Sequence, residues 1–377
     1  MIYILYSNDY EVFLGGNYLP ESEILIDTTN SLLDACDELD VPMTLFCDLI
    51  CLWRYREMGY PEFPDAVERQ LVQAVKNGHD VQTHVHPHWL ETEISFGANG
   101  STTYQVDPAK FLLGNWSPND GRNLFDFCLG IFQKAKQHLE NLLIPINPNY
   151  ECMAYRAGGY GIQPHSKEIF SALKNSKYTI DSSIVPGMTY QTDVNRIDFT
   201  QIPELGNYSI SPDRGIYEAA DDGVFEIPVL ALRKGEARWP LARAFFRKVL
   251  KSIVLHKKYQ PLGYPIQMTQ TPTKKNTLLK QLMKEVSTVL EGWYMLELGD
   301  DENLMFDVAT AYIDKYHVGS SDLFVSISCH SKSMNSRRLD AFKTFHKRLA
   351  SHYGSQMKTI TFQEAGNVLN RKRNKQI

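Results

Sequence analysis

Short apolar runs rich in β-branched and aromatic residues alternate along the chain with stretches in which apolar residues recur at helical spacing. Runs of the first kind predict strands at 2–7, 42–48, 79–84, 152–156, 178–183, 224–230, 323–329 and 357–362, and the second kind predicts helices at 28–40 and 64–78. Because strands that alternate with helices pair in parallel, the pattern predicts an α/β fold built on a parallel sheet or barrel.

The alternation breaks between residues 231 and 320, where three helical patterns follow one another at 238–258, 272–292 and 302–317. We interpret this stretch as a helical insertion before the last strands. The predicted organisation is therefore a barrel formed by 1–230 and 321–377, with the insertion at 231–320 between them.

Composition narrows the class of protein. The chain has 377 residues, a formal net charge of −5 and a pI near 6.1, which argues against a nucleic-acid-binding surface that covers the whole protein. Its six cysteines show no CxxC spacing, and we expect reduced thiols. The opening run "MIYILYS" lacks the basic region of a secretion leader, and no stretch is apolar enough to span a bilayer, so we expect a cytoplasmic protein.

Reactive side chains follow the predicted strands at one end. Asp9, His84, Arg156, Asp181 and His330 each lie at or just past the carboxyl end of a strand. In parallel β/α folds the carboxyl ends of the strands form the edge where sites are built, so these side chains are expected to lie near one another.

The segment "GHDVQTHVHPHW" holds four of the eleven histidines. His84 and His88 are four positions apart after a strand, close enough for both imidazoles to approach one metal ion. Asp9 and Glu11, two apart at the end of the first strand, would supply a carboxylate on one side. Alternatives remain open at this point, because the histidines could belong to a solvated loop and Asp9 could cap the next segment.

Five motifs, taken in order, resemble the polysaccharide deacetylases with NodB homology, which are metal-dependent carbohydrate deacetylases. They are Asp9 with Glu11, "HVHPH" at 84–88, "YRAGGYG" at 155–161, "IDSS" at 180–183 and "SCHSKSM" at 328–334. The match runs across nearly the whole chain. The resemblance implies a distorted (β/α) barrel of the NodB type, here with the helical insertion.

The resemblance also implies roles for these residues. Asp9 would be the general base, and Glu11, His84 and His88 would hold a divalent metal, most simply Zn²⁺. The reverse assignment of the two acids, with Asp9 as the ligand, stays open because the family's usual pair is adjacent aspartates. Arg156 would orient the base, His330 would be the general acid, and Asp181 would hold and charge His330.

Contacts to the substrate are implied less directly. A backbone N–H of the 157–160 loop would stabilise the oxyanion, with Gly159 or Tyr160 as the donor. His86 is a third candidate ligand, because parity along the strand would place it with His84, but Pro87 breaks that regularity. We therefore expect His86 to contact the substrate or to support a ligand. Trp89 could stack on a sugar ring, although an aromatic residue at such a mouth more often serves packing. Lys332 could meet a phosphate or an acid on the substrate, but we expect a solvated lysine at this position.

The implied function is removal of an N-acetyl group from a sugar during cytoplasmic synthesis of a surface polysaccharide or glycolipid, with a nucleotide-linked or lipid-linked glycan as substrate. Alternatives are hydrolysis of another C–N bond, such as a sugar formamide or a cyclic amide, and a catalytically inactive sugar-binding module. The basic and aromatic segment 238–260 is most simply an ordinary amphipathic helix packed on the barrel, and its composition also suits peripheral contact with a membrane surface.

Overall fold

The structure is a computed structural model, and it describes residues 1–17, 19–97, 100–236, 239–243, 292–319 and 321–373. The strands are β1 (Ile2–Tyr10), β2 (Gly16–Asn17), β3 (Thr44–Asp48), β4 (Asp80–Val85), β5 (Glu93–Phe96), β6 (Thr102–Gln105), β7 (Ala154–Ala157), β8 (Ile180–Asp181), β9 (Thr189–Gln191), β10 (Arg196–Asp198), β11 (Tyr208–Ile210), β12 (Val224–Glu226), β13 (Ala231–Arg233), β14 (Trp293–Met295), β15 (Leu323–Cys329) and β16 (Met357–Thr359). The helices are α1 (Asp27–Asp37), α2 (Leu49–Glu57), α3 (Glu62–Lys76), α4 (Leu124–Leu143), α5 (Ser166–Asn175), α6 (Glu302–Tyr316), α7 (Ser336–Tyr353) and α8 (Phe362–Arg373).

One curled sheet forms the centre of the fold. Its strands run in the order β11-β12-β8-β7-β4-β3-β1-β15, and β16 pairs with the start of β1. Every pairing from β12 to β15 along this path is parallel, while β11 is antiparallel to β12. Val229, just past β12, forms a parallel bridge with Ser326 on β15, and that contact brings the two ends of the path together. The predicted α/β fold with a distorted parallel barrel is confirmed.

The segment before α6 fills the seam between β12 and β15. β14 pairs with β13, and Glu297 then forms a parallel bridge with Ser328 on β15. The described helix α6 covers the predicted helical stretch 302–317. The other two helical predictions lie outside the described residues, apart from positions 239–243, which are helical, and residue 292. No helix in the described ranges is long and apolar enough to cross a membrane.

Strands that are buried on both faces explain why polar and apolar residues alternate only weakly in parts of the sequence. β1, β4 and β15 are buried along almost their whole length, since helices cover one face and the barrel interior takes the other. Two inward-facing positions near the carboxyl end of β15 carry serine rather than a large apolar residue, at Ser326 and Ser328. Those small polar residues leave space inside the barrel for one large side chain, that of Arg156.

Candidate metal and acid–base site

Arg156 occupies the barrel interior and is fully buried. Its guanidinium donates to Asp9 Oδ1 at 2.6 Å, to Ser7 Oγ at 2.9 Å and to Ser326 Oγ at 3.2 Å. It also donates to the carbonyl and hydroxyl oxygens of Ser182, both at 3.0 Å. Partners from β1, β15 and the turn after β8 thus surround an arginine on β7, and this fixes the guanidinium below Asp9.

Asp9 is buried on β1 above that guanidinium. Burial by itself would raise the pKa of Asp9, but the charges of Arg156, His84 and His330 outweigh it and lower the pKa below its ordinary value. Asp9 is therefore an ionised carboxylate near neutral pH. Its second oxygen lies 3.9 Å from His330 Nε2.

Glu11 lies two residues further along the chain, at the mouth of the barrel. Its Oε2 contacts His86 Nε2 closely and lies 3.3 Å from His84 Nε2, while its Oε1 accepts from Lys332 Nζ at 2.8 Å. Burial would raise the pKa of Glu11, but Lys332 and His86 more than offset it and hold the pKa well below its usual value. Each acid of the first motif thus has its own buried cation.

Lys332 departs from the prediction of a solvated lysine. It is 7% exposed and also donates to the Val12 carbonyl at 2.9 Å. The reason is local: the short 3-10 helix Ser331–Ser333 after β15 turns this side chain inward over Glu11. The prediction was wrong because sequence spacing alone does not show which way such a turn faces.

The histidine strand places two imidazoles next to Glu11. His84 Nδ1 donates to the Arg156 carbonyl at 2.8 Å, and this hydrogen bond turns its Nε2 toward Glu11. His86 remains extended, with φ −108° and ψ 99°, and therefore points to the same side as His84. Among the described residues, Glu11, His84 and His86 form a group whose donor atoms all lie within 4.8 Å of one another.

His88 does not belong to this group. His86 lies where the sequence predicted the second histidine ligand, His88. Pro87 begins a 3-10 helix, Pro87–Glu91, which turns the His88 ring against Phe111, at a centroid distance of 5.5 Å, and against Trp89. Burial, with the charge of His86 second, lowers the pKa of His88 to about 2, so the ring is neutral. Neither ring nitrogen has a hydrogen-bond partner.

The residues fit a divalent metal. The group combines one carboxylate with two imidazoles, and the hydrogen bond from His84 Nδ1 to the Arg156 carbonyl orients Nε2 as the nitrogen that would bind a metal. His86 Nδ1 is buried without a partner. Such a set suits Zn²⁺ and related ions of borderline softness, but the donors alone do not identify the metal.

His330 lies at the mouth, following β15, with 29% of its side chain exposed. Its Nε2 faces Asp9 and lies 3.5 Å from Glu11 Oε1, and its Nδ1 lies 4.0 Å from Glu297 Oε1. Burial, with Lys332 second, lowers the pKa of His330 despite the nearby acids. Asp9, Glu11 and His330 are therefore brought together as the sequence predicts.

Asp181 is not brought to His330. Its two carboxylate oxygens accept from the Ser183 hydroxyl at 2.7 Å and the Ser183 N–H at 3.1 Å, and the side chain also bonds to that of Glu226. Burial raises the pKa of Asp181, and burial together with the nearby Asp181 raises that of Glu226 well above its ordinary value. In the described structure this acid pair is fully buried, and the carboxylate that faces His330 Nδ1 is that of Glu297.

The loop after β7 brings Tyr160 to the site. Tyr160 has φ +60°, a conformation that non-glycine residues rarely adopt, and its buried hydroxyl lies next to the Ser328 side chain. Asp9 and Glu297 are among the charges that act on its hydroxyl. Gly158 has no room for a side chain, because a Cβ there would lie 2.5 Å from His86 Cγ. Gly159 adopts φ +57° and faces Phe111.

Trp89 lies away from the mouth. It is 2% exposed and packs edge-on against Tyr104 at a centroid distance of 4.7 Å, with Tyr55 nearby. The sugar-stacking role considered for it is therefore wrong, since a buried indole offers no face to a ligand. The cause is the same 3-10 turn that buries His88.

Sequence reasoning missed three residues. Asp48 ends β3 beside the histidines and accepts the His86 N–H at 3.3 Å, which its position at a strand end could have indicated. Ser326 faces inward two positions before Ser328, and their period of two could have indicated a polar barrel interior. Glu297 carries no sequence signal, because it lies in the stretch interpreted as an insertion.

Comparison with solved structures finds a crystal structure of a Mycobacterium smegmatis protein that is provisionally named a polysaccharide deacetylase. The two chains share 11% identity with a TM-score of 0.44, over 99% of this chain and 91% of that chain. No protein-family model and no curated protein matches the sequence.

Proposed function

We propose that this chain is a metal-dependent hydrolase that removes the N-acetyl group from a sugar. The observation that carries the proposal is the placement of Asp9, ionised by Arg156, between a Glu11–His84–His86 group and His330. That set contains a base, a metal-ligating group and a proton donor within one mouth. Metal-dependent hydrolysis of an amide uses all three.

Glu11, His84 and His86 would hold the metal, with Zn²⁺ as the proposed ion. When bound, a divalent metal supplies Lewis-acid polarisation of an acyl oxygen and lowers the pKa of a water molecule. Asp9 accepts a proton from the attacking water, since Arg156 keeps its carboxylate ionised. His330, reachable from solvent, gives a proton to the departing amine nitrogen as the C–N bond breaks. Tyr160 faces the same space and offers a hydroxyl to the acyl group.

The pairing of the two acids supports this assignment over its reverse. Asp9 is held by Arg156 at 2.6 Å, below the histidines, whereas Glu11 contacts both His84 and His86. The guanidinium orients the Asp9 carboxylate as a base, whereas Lys332 engages only Oε1 of Glu11 and leaves Oε2 against the two imidazoles. Asp9 is thus the proposed base and Glu11 the proposed ligand.

The proposed substrate is a nucleotide-linked or lipid-linked glycan handled in the cytoplasm during synthesis of a surface polysaccharide or glycolipid. Contact with the membrane surface would come from segment 238–260. In its described part, Trp239 is 73% exposed and Arg243 lies 3.7 Å from Asp307 on α6. An exposed indole beside a basic run has the composition of a membrane-surface element.

The test is turnover by the purified protein, with its metal content measured first. The protein is incubated with N-acetyl and N-formyl sugars, and release of acetate, formate and free amine is followed. Asp9→Asn serves as the inactive control. Asp9-dependent acetate release supports the proposal, formate release alone would favour a formamide hydrolase, and neither, from protein with full metal content, would favour a sugar-binding module.

A further inference from the structure

The two ring nitrogens of His330 face different acids. Nε2 lies 3.9 Å from Asp9 and 3.5 Å from Glu11, on the side where the substrate would enter. Nδ1 lies 4.0 Å from Glu297 Oε1, on the opposite side of the ring. A general acid that donates from one nitrogen is oriented by an acceptor at the other, and the structure offers Glu297 there.

The barrel seam fixes the position of Glu297. Glu297 forms a parallel bridge with Ser328, and the Leu298 N–H donates to the Ser328 carbonyl at 2.8 Å. Ser328 is two residues before His330 on the same side of β15, so the backbone pairing sets both side chains at the mouth. Arg338 Nη1 on α7 lies 3.5 Å from Glu297 Oε1 and supports the carboxylate from behind.

We propose that Glu297 is the residue that positions His330 for proton transfer to the leaving amine, an inference that rests on the proposed function. His330 begins the step protonated on both nitrogens. Its Nε2 proton passes to the amine nitrogen as the C–N bond breaks and the bonding electron pair moves to that nitrogen. The Nδ1 proton stays on the ring, hydrogen-bonded to Glu297, and the ring is left neutral.

A separation of 4.0 Å is longer than a hydrogen bond, and such contacts commonly tighten only when substrate binds. The competing acid is Asp181, whose oxygens are already taken by Ser183 and whose side chain bonds to Glu226. Moving Asp181 to His330 would break those buried hydrogen bonds, whereas Glu297 already lies 4.0 Å from His330 Nδ1.

The experiment compares Glu297→Gln with Asp181→Asn on two substrates. One is an N-acetyl sugar, whose amine must be protonated to leave, and the other is 4-nitrophenyl acetate, whose aryloxide leaves without a proton. Rates are taken after subtracting that of Asp9→Asn. A general acid contributes about 10²- to 10⁴-fold, so Glu297→Gln should lower kcat on the amide at least about tenfold, with KM and metal content unchanged.

The loss on the ester should be clearly smaller than the loss on the amide, a difference that mere damage to the fold would not produce. Glu297→Asp should restore part of the amide rate. Asp300→Asn is the matched control, because Asp300 is a neighbouring half-buried acid that accepts from the Tyr294 hydroxyl at 2.6 Å. It should retain both activities.

Equal losses of Glu297→Gln on the two substrates would overturn the inference. So would a selective loss of amide turnover in Asp181→Asn with Glu297→Gln like the wild type. Failure of the wild type to hydrolyse either substrate, with metal bound, would instead count against the proposed function itself.

Discussion

Replacing Arg156 with methionine should destabilise the barrel, because it leaves Asp9 as a buried charge without its counter-ion. The guanidinium makes five hydrogen bonds, to Asp9, Ser7, Ser326 and both oxygens of Ser182. Breaking a buried ion pair by removing one partner costs about 3–5 kcal/mol, since the remaining charge stays desolvated. The free energy of unfolding should fall by about that amount in Arg156→Met, and Arg156→Lys should fall less because it keeps the charge.

The assay is urea unfolding at pH 7, followed by tryptophan fluorescence and circular dichroism, with a double-mutant cycle. Asp9→Asn alone leaves the buried guanidinium without its counter-ion and should also lower the free energy of unfolding. The double variant leaves neither charge unpaired. Its loss should therefore be smaller than the sum of the two single losses, by about 0.5–3 kcal/mol. Arg214→Met removes an exposed partner of Glu218 and should match the wild type. Additive losses in the cycle would refute the reasoning, because the two groups would then not stabilise each other.

Three further predictions concern the metal, pH and the membrane. His86→Ala should lower the amount of metal bound per chain, whereas His88→Ala should retain it, as measured by plasma emission after dialysis. The opposite pattern would restore His88 as the ligand. Glu226 has its folded pKa raised above the unfolded value, so the stability it contributes is complete below about pH 4 and is lost as pH rises toward the folded pKa. Glu226→Gln should therefore raise Tm more at pH 8 than at pH 5, and an equal change at both would exclude its titration. The full chain should sediment at low salt with vesicles that contain anionic lipid, and binding should fall as salt rises. Replacing the basic residues of 238–260 with glutamine should abolish this binding. No binding at low salt would make 238–260 a packing element.

The architecture could be predicted because apolar runs mark the strands and reactive residues follow the carboxyl ends of those strands. Strands at the predicted positions place Asp9, His84, Arg156 and His330 at the carboxyl ends of a parallel barrel. The small antiparallel pairs, such as β9 with β10, were missed because strands of three residues leave no periodic signal. Long-range closure was also invisible, since the Val229–Ser326 bridge joins segments 97 residues apart in sequence.

The errors at the site arise where regular strand geometry ends. Parity along β4 would have placed His86 with His84, but the proline at 87 suggested that the regularity was already lost. The chain in fact stays extended through His86 and turns only afterwards, which carries His88 and Trp89 into the interior. Sequence spacing could not decide at which residue the strand stops. Glu297 was out of reach for another reason, since only tertiary pairing brings it next to β15.

Depth in the barrel explains why two acids two residues apart have different proposed roles. Both point to one side of β1, as alternation requires, but one lies a layer deeper than the other. Asp9 lies at the level reached by the Arg156 guanidinium from below, and this fixes its charge and orientation. Glu11 lies at the rim, where the turns after β4 and β15 supply His86 and Lys332. A base needs the first environment and a metal ligand the second, so the assignment follows from position along the barrel axis rather than from residue type.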